Sequence, residues 1–104
     1  MYETDITIDN KAKEYLNKKG IDTLTVRMTR MTSGWCSGAL EPEVQADIPN
    51  NKQNFEEKYV QNYTVYLQKS INPSDPEKPV KISIAGFWFL KKLKVLNVDI
   101  ITAV

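Results

Sequence analysis

From Leu24 onward, apolar residues recur mainly at every second position, and that period constrains the fold more than any motif does. Leu24, Val26 and Met28 alternate with Thr25, Arg27 and Thr29, as expected of a strand with one buried face. The alternation returns in Tyr63, Val65 and Leu67 against Thr64, Tyr66 and Gln68, with Lys58 to Val60 as an incoming strand and Gln61-Asn62 as a hairpin turn. Val80, Ile82 and Ile84 alternate with Lys81, Ser83 and Ala85. Leu93, Val95 and Asn97 against Lys94, Leu96 and Val98 predict a further strand, covered on both faces. Ile6 and Ile8 mark a short opening strand.

One stretch keeps a helical period. In "NKAKEYLNKKG" the positions Ala12, Tyr15, Leu16 and Lys19 share a face, Asp9 or Asn10 can cap the start, and Gly20 suits a left-handed end. Breakers divide the rest. The strand from Leu24 is expected to end near Thr32, where Ser33-Gly34 interrupts it, and a loop is expected to continue to Pro42. Glu41 and Glu43 flank that proline and read as solvated loop residues. "DIPNNKQNF" reads as a loop or turn, and "NPSDPEKP" as a surface connection that proline keeps out of any central strand. Gly86 predicts a bend or bulge. The fold class is α+β, a compact mostly-β domain with one short N-terminal helix, and 104 residues suit a single domain over 1–104.

Charge and composition remove several functions. Fourteen basic and thirteen acidic residues leave a net charge of +1, which supplies no long-range field for nucleic acid or an anionic membrane surface. Lys91, Lys92 and Lys94 form a local basic cluster that reads as a solvated face. No run approaches the roughly 20 apolar residues of a membrane span, so no membrane partner is expected. Met1-Tyr2-Glu3-Thr4-Asp5 has neither the basic nor the apolar stretch of an export signal, and one cysteine forms no internal disulfide. A cytoplasmic location is the expectation. With no histidine in the chain, imidazole bases and imidazole metal ligands are absent, and no catalytic residue is assigned.

The sole cysteine, Cys36, stands in "TSGWCSGALEPE", where Gly34 and Gly38 frame Trp35, Cys36 and Ser37. Glycines on both sides allow close approach of a ligand or another chain. Arg27 and Arg30, on the preceding strand, could each favour a thiolate, the reactive and metal-binding form. The plainer reading is a small apolar cysteine packed beside Trp35. Zinc sites and iron–sulfur clusters generally use four ligands, so one thiol per chain requires a second copy, carboxylates or outside thiols. In "GFWFL", alternation puts Phe87 and Phe89 on one face and Trp88 on the other, which makes Trp88 the candidate contact residue.

These pieces, in this order over about residues 4 to 96, resemble the HesB-like domain, the fold of the A-type iron–sulfur carriers. "ITIDNKAKEYLNKKG" looks like the family's opening strand and helix, and "LTVRMTRMTSGWCSG" is similar to its strand and cysteine loop. "YTVYLQKSI" resembles its hairpin strand, and "ISIAGFWF" its late Gly-Phe-x-Phe strand. The closest resemblance is to the branch that carries a Cys-Cys or Cys-selenocysteine pair. It implies Cys36 as the ligand to an iron–sulfur cluster, iron or zinc. It also implies a homodimer or a thiol or cluster-transfer protein as partner. This chain departs from the pattern at two points. Trp35 stands where the branch has its first cysteine, and "NVDIITAV" lacks the carriers' C-terminal Cys-x-Cys. Two alternatives stand beside a cluster- or metal-handling role: a thiol redox or sulfur-acceptor protein, and a structural interaction domain with an inert cysteine.

Overall fold

The computed structural model describes residues 4–30, 39–86 and 91–101. The Gly34–Gly38 segment with Cys36, the Phe87–Leu90 run with Trp88, and the expected strand end near Thr32 lie outside the described residues.

Strand β1 (Ile6–Ile8) leads into helix α1 (Asn10–Lys19). Asp9 caps the helix, its Oδ1 accepting the Ala12 N–H at 2.8 Å. Gly20 ends it at φ 67°, where its N–H and that of Ile21 reach back to the carbonyls of Asn17 and Leu16. That closure satisfies carbonyls the helix would otherwise leave unpaired. Ala12 and Leu16 are buried, as their spacing requires.

The strands β2 (Thr23–Arg30), β3 (Leu40–Gln45), β4 (Phe55–Val60) and β5 (Tyr63–Gln68) form one sheet in the order β3-β2-β5-β4. The strands β6 (Val80–Ala85) and β7 (Lys92–Leu96) join β1 in a second sheet, ordered β1-β6-β7. Two pairings are parallel and distant in sequence: β1 with β6, through Ile8↔Ile82, and β2 with β5, through Leu24↔Val65. Where the β2–β5 ladder stops at Val26↔Leu67, the Gln68 side chain takes over and accepts the Met28 N–H at 2.7 Å. The core lies between the sheets and α1, and Leu16, Leu24, Val26, Val65, Val80 and Ile82 are fully buried there.

Several details differ from the sequence reading. Leu40 to Gln45 is a strand rather than a loop, and it carries Pro42 inside it. Strand β3 is an edge of its sheet, and Leu40 exchanges both backbone hydrogen bonds with Ile101 on the side away from β2. Backbone groups alternate along a strand, so Pro42 also turns its nitrogen to that outer side and removes no bond from the β2 ladder. Glu41 and Glu43 are accordingly half-buried strand residues, not a solvated loop. Strand β4 begins at Phe55, earlier than Lys58. Strand β7 is covered on one face only, with Leu93 and Val95 inward and Leu96 exposed. It stops where Asn97 takes φ 69°.

The connection between β3 and β4 folds back over the outer face of the four-stranded sheet. There Thr25 Oγ1 donates to the Asp47 carbonyl at 2.7 Å, and Thr25, Phe55 and Tyr66 are buried. The proline-rich connection before β6 is held by Asn97. Its Nδ2 donates to the carbonyls of Asp75, Lys78 and Pro79, and its Oδ1 accepts the Asp75 N–H.

Candidate functional site

The connection that carries Cys36 joins two antiparallel neighbours, β2 and β3, and their last described register pair, Arg30↔Leu40, closes its base. That base is braced from a second direction, because Leu40 also pairs with Ile101. Ala39, just outside the strand, is buried. The chain therefore leaves and re-enters the sheet at a fixed place.

The two arginines expected near the thiol have different surroundings. Arg27 sits on the outer face of β2, where its guanidinium meets Asp47 at 3.3 Å and Gln45 at 3.2 Å. It also lies over the Phe55 ring, 6.0 Å from the centroid. These contacts commit Arg27 to the folded-back β3–β4 connection. Arg30 is exposed at the base of the cysteine connection, opposite Leu40.

Glu43 joins the same polar face. Gln45 donates to its Oε1 at 2.8 Å. This bond, against some burial and with help from Thr29, Lys92 and Arg27, holds the Glu43 carboxyl below its ordinary range. Sequence reasoning missed this face because it placed Glu41 and Glu43 in a loop. The signal was present: Leu40, Pro42 and Val44 alternate with Glu41, Glu43 and Gln45.

Between the outer edge of β3 and strand β7 runs a groove of about 410 Å³. From β3 it is lined by Glu41, Pro42 and Glu43 and from β7 by Lys92, Leu93, Lys94 and Val95, so acidic residues come from one strand and basic residues from the other. The ion pairs among the described residues are Arg27–Asp47, Lys58–Glu56 and Lys78–Asp75, and none of them spans this groove.

As a metal site the donor set of one chain is incomplete. The chain holds one cysteine and no histidine. Among the described residues no group of three or more acidic or thiol side chains converges. The described residues alone supply no four-ligand centre.

The architecture defines a class: a mostly-β α+β domain whose single cysteine lies between two paired strands. The chain belongs to the CC/Se motif containing family, which it matches over residues 4–98. No curated protein and no solved structure matches it. Among the described residues no helix is long and apolar enough to cross a membrane.

Proposed function

We propose that this protein is a HesB-like binding module in which Cys36 contributes one ligand to an iron–sulfur cluster or metal ion completed from outside the chain. The observation that carries the reading is the position of the only thiol. It lies in the connection whose base is pinned by Arg30↔Leu40 and Leu40↔Ile101, in a chain of a family described by its Cys-Cys or selenium motif. Binding groups are commonly carried on loops that a rigid scaffold positions. Trp35 replaces one member of the pair, so the remaining ligands come from a second copy or from a thiol or cluster-transfer partner.

Arg30 supports a second reading. A cation at the base of the connection favours the thiolate, and a thiolate is the attacking form in disulfide exchange and the acceptor in persulfide formation. The two readings separate experimentally. Anaerobically isolated protein is assayed for iron, zinc and sulfide beside Cys36→Ser, and the alkylation rate of the thiol is measured in parallel. Metal present in the wild type and lost in Cys36→Ser is the expected result. Rapid alkylation with no metal in either protein would transfer the assignment to thiol exchange. Slow alkylation without metal would overturn both.

A further inference from the structure

We infer that the groove between β3 and β7 is the docking surface for a second copy of this chain, related by a two-fold axis that runs along the groove. The inference deepens the shared-ligand reading above and rests on it only for what the paired thiols would do.

The argument starts from the two walls. Glu41 and Glu43 stand on the β3 side and Lys92 and Lys94 on the β7 side, with the apolar Pro42, Leu93 and Val95 among them. The two lysines are exposed. Lys92 is near enough to help depress the Glu43 pKa, yet none of the ion pairs among the described residues joins the two walls. Large apolar side chains remain in solvent here: Ile100, which lines the groove, is 50% exposed, and Leu96 at the end of β7 is 38% exposed. An apolar strip rimmed by charge is the usual composition of an interaction surface.

The occupant follows from the charges. A surface that is acidic along one wall and basic along the other complements itself when two copies face each other. Two face-to-face arrangements are possible for parallel walls. If the two-fold axis crosses the groove, acid lies over acid and base over base. If it runs along the groove, Glu41 and Glu43 of each copy face Lys92 and Lys94 of the other. Only the second arrangement is electrostatically favourable. A net charge of +1 per chain sets no general repulsion against it.

This choice of axis also has a direction. Rotation about the length of the groove leaves its two ends where they are. Leu40, where the Cys36-bearing connection rejoins the sheet, adjoins Glu41 at one end of the acidic wall. The two connections of a dimer therefore fall at the same end of the interface. The crossing axis would send them to opposite ends.

Reciprocal charge exchange tests the surface without reference to any metal. Sedimentation velocity is run on the wild type, on E41K/E43K, on K92E/K94E, and on an equimolar mixture of the two variants. The first variant has two basic walls and the second two acidic walls, so each repels its own copy. In the mixture every facing pair is again opposite in sign. The expected pattern is a wild-type dimer, a monomer for each variant alone, and a dimer restored by mixing. Circular dichroism checks that each variant folds, and restoration by mixing itself requires folded partners. A wild type that is monomeric over the whole concentration series overturns the proposal. Variants that remain dimeric move the interface elsewhere, and folded variants that fail to pair on mixing exclude this axis. Any of these results leaves the metal assay on Cys36 readable on its own.

Discussion

The Asp9 carboxylate accepts the Ala12 N–H with one oxygen and the Ser83 hydroxyl with the other, so the start of α1 and the middle of β6 depend on one ionisable group. Burial pushes its pKa upward. The Ser83 and Ala12 hydrogen bonds, with Lys81 and Lys11 nearby, outweigh that and hold it below the ordinary value. The sign follows from linkage. A carboxylate with a depressed folded pKa stabilises the fold above its unfolded pKa, and that contribution is lost as pH falls through the folded value. Wild-type stability should therefore decline as pH drops below about 4, where unfolded aspartate begins to bind its proton. Asp9→Asn, which caps helices about as well, should lack this component. Glu43 titrates with the same sign, so the difference between wild type and Asp9→Asn in urea unfolding across the acid range isolates Asp9. Asp9→Ala should lose about 1–3 kcal/mol at neutral pH, because the cap goes and Ser83 loses its acceptor. An unchanged midpoint in Asp9→Ala would show that neither bond matters.

Among the elements, the proline-rich connection before β6 has little regular structure of its own and depends on Asn97. That residue combines a left-handed φ of 69° with side-chain bonds to Asp75, Lys78 and Pro79. Asn97→Ala should cost about 2–3 kcal/mol, from lost hydrogen bonds plus the left-handed penalty. Asn97→Gly should cost about 1 kcal/mol less, since glycine adopts that backbone freely. In both variants the Asp75 amide should lose hydrogen-exchange protection, and equal stability of the two would remove the backbone contribution from this account. The same scale shows what the sequence made legible. The buried faces of β2, β5 and β6 were readable because Leu24, Val65 and Ile82 each sit in a clean alternation. Strand β3 was hidden by Pro42, which breaks a central strand but is tolerated where its nitrogen faces outward from an edge. Strand β7 misled in the opposite way: Leu96 looked like a second buried face, yet it is the apolar residue of an open one. Cys36 could be placed beyond the end of β2 from sequence, but neither the return into β3 nor the Leu40–Ile101 brace could, since periodicity assigns faces and not partners.

At the scale of the whole molecule, one hydrophobic cluster draws on both sheets and the helix. Leu24 on β2 and Ile82 on β6 are both fully buried in it. Leu24→Ala should cost about 2–5 kcal/mol. It should lower the unfolding midpoint of both sheets together, since both draw on that one cluster. Hydrogen exchange followed strand by strand would check this. Retained protection in β1, β6 and β7 after β2 and β5 have opened would show two units in place of one.

The pairing of β1 with β6 has a consequence in time. Asp9 and Ser83 lie 74 residues apart, and a chain made from its N-terminus exposes β1 and α1 long before β6 leaves the ribosome. Until then the side of α1 that packs on β6 has no cover, although Tyr63 of β5 already reaches Asn17, and a helix this short is marginal alone. Among the described pairings, β1 with β6 is one of the last to have both strands available. Nascent chains halted before Val80 should thus carry an uncovered apolar stripe of the kind chaperones bind, which complete chains bury.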